Sequence, residues 1–452
     1  MNVARDPSRQ SGTLDPSFGT DGETTLHEIL EAHPELVVFQ LFKGLTTDKA
    51  GNILFSAKLF QHGPGNIFGL GRLGADGKLD KAFGNNGLVT GNFLPLLPAG
   101  GSRLTVQDDG KILMLGWTWR STSNGWADAV VARFESNGAF DTTFANQGMC
   151  TLLTHEDEGL TEDSTTVHVQ DDGHILITAN YSKRRNPYAT VGTVFRLKPN
   201  GELDADFNGN GRLDFKLENT AAATAVNACI SQGLDHKIVI AGHAQFTSEF
   251  NTPMFARLDH DGTQDFTSEF NTAMFARLNH DGTLDNTFGD PQTPGIYRTH
   301  GIADHTTFND LAELKDSTLV GAGQVGLNHA APTKGLLQGI TPNGAPHQLF
   351  NQGKPLISQF NSAYDNGWYT IMRTGAGNLV TASGGHMIYI AKFNAGGTLD
   401  PTFNNQGYND LDSPVRTNPV LLTELAEQRI LTGANRIGVA PEGIGSLRCF
   451  FG

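Results

Sequence analysis

Along this chain a short polar turn is followed, again and again, by an apolar run. The phrase reads Asp108-Asp109-Gly110-Lys111-Ile112-Leu113-Met114, and later Asp171-Asp172-Gly173-His174-Ile175-Leu176-Ile177. Variants begin at Lys49, Asp235, Asp316, Gly375 and Glu427. Asp-Gly ahead of aliphatic residues signals a hairpin, because glycine accepts the positive φ that a tight turn needs. The first aliphatic positions are 53, 112, 175, 238, 319, 379 and 430, spaced 59, 63, 63, 81, 60 and 51 residues apart. Each interval holds four strand candidates; in the second repeat they are 87–93, 102–107, 111–116 and 129–135. Two segments read as helical, 27–42 and 421–431. The second falls where the repeat register demands strands, so strands are expected there. In the first, residues 28–33 are expected to form one helical turn ahead of Pro34.

A second phrase, Asn-Gly-x-Leu-Asp-x-x-Phe-Gly/Asn-x-x-Gly, recurs with the same period. It stands at 76–87, 137–148, 200–211, 281–295 and 396–407, and in worn form at 343–353, where Pro346-His347 replaces Leu-Asp. The N-terminal stretch carries Leu14, Asp15 and Phe18 of one more copy. The strand that should precede that copy is at the other end of the chain, in residues 446–452. Four short strands repeated seven times describe the blades of a β-propeller. The split copy predicts that the two ends meet in one blade, which removes an exposed sheet edge. The long interval has a plain cause: 246–265 and 266–285 are near copies, FTSEFNTPMFARLDHDGTQD and FTSEFNTAMFARLNHDGTLD. Strands in a blade alternate in direction, so one added strand would deliver the Leu-Asp turn to the wrong face. The second copy, with Met274 and Leu278, is therefore expected to be the true strand. The first, with Met254, Phe255 and Leu258, is expected to form an excursion.

The Gly-x-Leu-Asp-x-x-Phe-Gly-x-x-Gly phrase, with Gln-x-Asp-Gly-Lys-Ile-Leu between its copies, resembles the delta-60 repeat β-propeller family. The resemblance runs from Gly12 to the C-terminus. It implies the fold and brings no catalytic residues. The fold expected is all-β: one domain over 1–452, a seven-bladed β-propeller of four-stranded blades, its ring closed by the N- and C-terminal segments.

Composition narrows the function classes. Charged residues make up 17% of the chain, with 54 glycines and a net charge of −15. A nucleic-acid partner is not expected, since phosphates demand a basic face. No stretch approaches the apolar length of a membrane span, and residues 1–25 hold no apolar run. The default expectation is a cytoplasmic protein, with signal-independent export left open. Cys150, Cys229 and Cys449 are sparse and lack CxxC spacing, so buried thiols are expected rather than disulfides or zinc.

Candidate chemistry is thin. The repeated Asp (Asp15, Asp80, Asp141, Asp204, Asp285, Asp400) reads first as a turn-fixing acceptor of backbone N–H groups. Asp206-Phe207-Asn208-Gly209-Asn210-Gly211 resembles a calcium loop, but Leu217 stands where the bidentate Glu belongs. Gly69-Leu70-Gly71-Arg72-Leu73-Gly74 matches GxGxxG with no helix to follow. His300, Asp304 and His305 read as a polar loop. No GxSxG, HExxH or CxxC occurs, and neither cofactor nor metal is expected. The unusual composition lies in two neighbouring loops. One holds Trp117, Trp119, Arg120 and Trp126; the other holds Tyr181, Arg184 and Tyr188. Exposed aromatics beside arginine suit the gripping of a sugar or a protein; tryptophans packed between blades are the alternative. The expectation is a non-enzymatic binding or scaffold propeller that contacts a protein or glycan through these loops. The other reading is an enzyme, a lyase or hydrolase, with its site at the central channel. Oligomeric state is not legible.

Overall fold

The computed structural model describes residues 9–452 except 64, 122–125, 155–156, 162–165, 184–185, 218–220, 234, 250–256, 259–263, 266, 300, 303–304, 327–331 and 437–444. Three antiparallel four-stranded sheets repeat one meander. The first joins Leu36–Thr47, Ile53–Gln61, Gly65–Leu73 and Leu88–Gly91. The next joins Ala99–Val106, Ile112–Trp119, Ala127–Phe134 and Met149–Leu152. The third such sheet joins Thr306–Glu313, Leu319–Val325, Lys334–Ile340 and Leu356–Ser358.

Two larger sheets are pairs of the same unit. The nine-stranded sheet is held together at one parallel pair, Val191 with Thr224. On one side of it lie Thr166–Val169, Ile175–Lys183, Asn186–Leu197 and Arg212–Phe215, with Glu158–Leu160 also on Ile175–Lys183. On the other lie Ala221–Gln232, Lys237–Glu249, Thr267–Leu278 and Ile296–Arg298. The seven-stranded sheet shares the long strand Tyr408–Glu424, which leaves Gly385–Phe393 and bends onto Ile430–Arg436. Its edge is Glu23–Thr25, paired with Gly445–Phe450 (Glu23 opposite Arg448). This repetition of packed four-stranded meanders is an all-β propeller. Apolar clusters fill the spaces between successive sheets, for example Leu113, Val131 and Phe144 against Ile175, Ile177 and Phe195.

The edge strands correct the expected strand assignment. Residues 87–93 do not begin the sheet of 102–107. Leu88–Gly91 pairs with Gly65–Leu73 and completes the preceding sheet. The reason is local. Asp80 N–H donates to the Arg72 carbonyl at 3.0 Å, and Arg72 N–H to the Gly87 carbonyl at 3.2 Å. The Leu-Asp-x-x-Phe turn therefore folds back onto the strand just completed and does not lead to the next sheet. By the same token 445–450 is the third strand of its unit, and the N-terminal segment supplies the fourth.

Each such turn is a three-residue device. The Asp carboxylate accepts the N–H two residues on, at 3.0 Å for Asp80, Asp141, Asp285 and Asp400. In Asp80, Asp141, Asp204 and Asp285 the other oxygen takes an arginine Nε from eight residues earlier, Arg72, Arg133, Arg196 and Arg277, at 2.6–2.8 Å; beside Asp400 the position is Lys392. The guanidinium then lies over the Phe three residues after the Asp, 4.5–5.1 Å from the ring centroid. It also donates to a carbonyl of the next unit (Ser136, Pro199, His280 or Pro342). The same turns are linked by amide-to-carbonyl bonds in succession: Gly19 to Asp76, Gly84 to Asn137, Ala145 to Asn200, Asn208 to Asp281, Gly289 to Asn343, Asn351 to Gly396, and Asn404 to Ser11.

The worn copy loses both charges together. Gly339 stands where the arginine belongs and His347 where the Asp belongs, and Phe350 packs onto Gly339, where a Cβ would stand 2.5 Å from the ring. In the copy with Asp15, Cys449 holds the arginine position, and Arg429 reaches Asp15 from another strand at 3.1 Å.

A helical turn forms at Leu26–Leu30, two residues ahead of the expected 28–33, because Thr25 caps it and Glu28 returns the hydrogen bond. The duplicated segments pair with each other: Phe246 with Phe270, Thr247 with Glu269, Ser248 with Ser268. Met274–Leu278 is a regular strand before its Leu-Asp turn, as expected. The first copy lies between, with Arg257–Leu258 on Gln264–Asp265 as a small hairpin. Met254 and Phe255 are outside the described residues.

Candidate binding face

The tryptophan loop follows Ile112–Trp119, an almost wholly buried strand in the middle of its sheet. Trp117 and Tyr181 are not part of an exposed patch, a correction to the reading of the sequence. Trp117 is 5% exposed, its ring under Lys58 Nζ at 5.2 Å and against Gly100, where a Cβ would stand 2.6 Å from Nε1. Tyr181 is 1% exposed and packs on Phe195. Burial, with the neighbouring Asp128 carboxylate, pushes its phenol above the usual range. The reason is depth along the strand: the adjacent sheet covers these positions and stops short of the loops.

Trp119, Arg120 and Trp126 are half-buried at the rim. Arg120 is fixed. Its Nε donates to Asp128 at 2.7 Å, and it also reaches Thr154. Trp126 packs against Gly159: a Cβ there would be 1.5 Å from the ring. Gly159 belongs to Glu158–Leu160, which pairs with Ile175–Lys183 and sets Leu160 opposite Tyr181. The structure thus brings Arg120, Trp126 and Tyr181 to one junction between neighbouring sheets. Arg184 and the side chain of Tyr188 are outside the described residues.

Sequence reasoning missed Asp128, Glu158 and Arg212. Glu158 is buried with Arg212 3.5 Å away, and Arg212 also holds Asp214 at 2.9 Å. One signal was available: Asp128 is a lone carboxylate in the strand Ala127–Phe134, eight residues after Arg120. That is the spacing of Arg72–Asp80, Arg133–Asp141, Arg196–Asp204 and Arg277–Asp285 in the repeated turns.

The other candidates resolve into structure. Gly69 and Gly71 of the GxGxxG stretch sit in the strand Gly65–Leu73, where a Cβ on Gly71 would meet the Phe55 ring at 2.1 Å. Glycine is there to admit a ring. In the calcium-like loop, Asn208 Nδ2 donates to the Arg212 carbonyl at 2.7 Å and Asn210 accepts the Arg212 amide at 3.0 Å, so both side chains hold the turn. His300 and Asp304 are outside the described residues. Cys229 and Cys449 are buried and Cys150 half-buried, all free, and burial pushes the Cys229 thiol up to about 12.

A family model matches parts of the chain and agrees on the β-propeller fold. A family described as a β-propeller domain of unknown function (DUF5122) matches residues 107–144, 269–288 and 375–403. No curated protein matches the chain. Among solved structures, a protein of unknown function from Dyadobacter fermentans is similar at 10% identity, covering 95% of this chain and 99% of its own, with a TM-score of 0.45. The α-L-arabinofuranosidase Arb93A from Fusarium graminearum gives 10% identity, 92% and 93% coverage and a TM-score of 0.43. YCF48 from Cyanidioschyzon merolae gives 6%, 94% and 98%, and 0.44. These likenesses speak for no activity in this chain. Among the described residues no helix is long and apolar enough to cross a membrane.

Proposed function

We propose that this chain is a seven-bladed delta-60-type propeller, closed by its own ends, that works as a non-enzymatic binding platform for a glycan or protein. Closure draws support from the pairing of Glu23–Thr25 with Gly445–Phe450 and from the succession of turn-to-turn bonds that returns from Asn404 to Ser11. The observation that carries binding is the half-buried Trp126 ring packed against Gly159 beside an immobilised Arg120. A flat aromatic face held rigid next to a fixed polar group grips a ligand with little ordering cost. An enzyme at the central channel would need ionisable groups from several blades at one mouth. The histidine cluster His174, His236 and His280, with Asp172 between two of them, draws on two neighbouring units.

A glycan array probed with the native protein and with Trp126→Ala tests the reading. Binding that Trp126→Ala abolishes, at an unchanged thermal midpoint, is expected. Glycan binding indifferent to Trp126→Ala would overturn the assignment of this face.

A further inference from the structure

In five units the first, innermost strand is interrupted at one level. An extra residue bulges from Leu36–Thr47 at Lys43, from Ala99–Val106 at Ser102-Arg103, from Ala221–Gln232 at Asn227, from Thr306–Glu313 at Asn309 and from Trp368–Arg373 at Tyr369. Each bulge opens opposite the equivalent residue of the second strand: Ala57, Gly116, Gly242, Gly323 or Ser383. A bulge re-aims the side chain it carries. Here Phe42 and Gly44, Gly101 and Leu104, Val226 and Ala228, and Trp368 and Thr370 are buried, while the bulged residues between them are half-buried. The innermost strands touch in succession: Leu36–Thr47 with Ala99–Val106, Ala221–Gln232 with Thr306–Glu313, and Thr306–Glu313 with Trp368–Arg373. On the closed-ring reading proposed above, on which this inference rests, the five bulges stand around one central axis.

Chemistry divides these residues. Asn227 Nδ2 donates to the Phe308 carbonyl at 2.7 Å, and Asn309 Nδ2 to the Trp368 carbonyl at 2.8 Å, each reaching the next innermost strand just ahead of its bulge. Those two side chains serve the architecture. The carboxylate directly beside a bulge, Asp310, is committed as well: it accepts the Leu311 amide at 2.9 Å, the Thr370 hydroxyl at 2.8 Å and the Ile371 amide at 3.0 Å. Arg103 is different. It makes no hydrogen bond, ion pair or ring contact among the described residues. Lys43, which has a contact of its own, brings a second cation to the adjoining bulge; a Cβ on the next residue, Gly44, would stand 3.2 Å from the Arg103 carbonyl carbon. In a chain of net charge −15, two adjoining bulges carry positive charge alone.

We infer that Arg103 binds the anionic group of a small ligand at the axis, a carboxylate carried by an acidic sugar or a phosphate. An arginine on an open outer surface needs no ligand to explain it. This one is turned out from between buried neighbours on an innermost strand, at the level where Asn227 and Asn309 are used to join units. Its guanidinium fork pairs two N–H donors with two oxygens of a carboxylate or a phosphate. Lys43 adds attraction as a point charge without directing the ligand. Nucleic acid is a poor fit, since the strongly acidic chain would repel a long run of phosphates. The site is separate from the tryptophan face, and Trp126 takes no part in it.

Titration calorimetry on the full chain, at about 0.15 M salt to screen long-range attraction, tests the site with trigalacturonate, the neutral galactotriose and inorganic phosphate. Trigalacturonate or phosphate is expected to bind and galactotriose is not. Arg103→Gln should weaken that binding about tenfold or more, and Arg103→Lys, which keeps the charge and loses the fork, should fall between it and the native chain. Lys81→Gln removes the same charge from an exposed position and should change nothing. Because Arg103 holds no partner in the fold, the thermal midpoint of Arg103→Gln should equal the native one. Binding of trigalacturonate through Arg103 assigns the carboxylate, and binding of phosphate alone through Arg103 assigns the phosphate. No binding of either anion, equal affinity for galactotriose, or equal weakening by Lys81→Gln overturns the proposal. So does loss of anion binding in Trp126→Ala; unchanged binding there upholds this site whatever a glycan array shows for the tryptophan face.

Discussion

At the scale of single residues, the repeated Asp is a joint and not a reactive group. Each takes a backbone amide and a basic side chain from within its own unit, and in every copy but that of Asp400 the side chain, an arginine, goes on to a carbonyl of the next unit. Burial pushes the Asp141 and Asp285 carboxyls upward, but hydrogen bonds from Lys111, Lys237 and the neighbouring threonines, with the arginines behind them, outweigh it and hold both well below the usual carboxylate range. The arginine side of the joint should therefore matter in proportion to its burial. Arg277 and Asp285 side chains are 6% and 4% exposed, whereas Arg72 and Asp80 are 17% and 28% exposed. Arg277→Leu leaves the buried Asp285 carboxylate with Lys237 as its remaining basic partner and is expected to cost about 1.5–3 kcal/mol, against about 1 kcal/mol for Arg72→Leu. Urea denaturation midpoints of the two variants compare them directly; equal losses would show that the joint acts through packing on phenylalanine alone. The copy with Gly339 and His347 fits the same logic, since it has shed both charges at once.

At the scale of elements, one unit is assembled from both ends of the chain. Gly445–Phe450 lies between Ile430–Arg436 and Glu23–Thr25, with Leu447, Cys449 and Phe450 buried. Its removal deprives two strands of their partner at once. Deletion of 446–452 is expected to lower the thermal midpoint sharply, because each buried side chain of the size of Leu447 or Phe450 contributes about 1.5–3 kcal/mol. A truncated protein that melts like the full chain would rule this out. The duplicated segment behaves differently. It lengthens one hairpin between two strands already paired, and so leaves the meander and its handover to the next unit intact.

At the scale of the whole molecule, the joints make stability a function of pH. A carboxyl held low in the fold and titrating about pH 3.9 when unfolded stabilises the fold above that value, and the contribution disappears as pH falls toward the folded value. Asp15, Asp80, Asp141, Asp204, Asp285 and Asp400 all shift in this direction. Histidine reaches the same pH dependence by the opposite cause, since burial itself favours the neutral form: it lowers His280 and takes His243 down to about 4. That share of stability is complete above about pH 6.5, the unfolded value, and falls through the interval below it. Thermal midpoints should thus decline gently from about pH 6.5 to 4 and steeply below about pH 4. A midpoint constant down to pH 3 would contradict the picture of buried, ionised joints.

How much of this was legible divides by range. The repeat length, the hairpin turns, the Asp that caps its own turn, the helical turn before Pro34 and the splitting of one copy between the two ends all follow from local pattern. Glycine, proline and aspartate restrict the backbone within a few residues, and a strand announces itself by its apolar run. The arginine eight residues before Asp80, Asp141, Asp204 and Asp285 was also in view, as a fixed spacing, although its role needs the hairpin to bring the two together. What the pattern left undecided is whatever depends on a neighbouring unit. The edge strand at 88–91 reads equally well as the end of one sheet or the start of the next, and only the backbone bonds of the Asp80 turn settle it. Trp117 and Trp119 share a strand face and a composition, yet one is covered by Lys58 of the adjacent sheet and the other reaches past it. Burial between stacked units is a contact between residues some sixty positions apart, and no local rule of sequence encodes how far such cover extends.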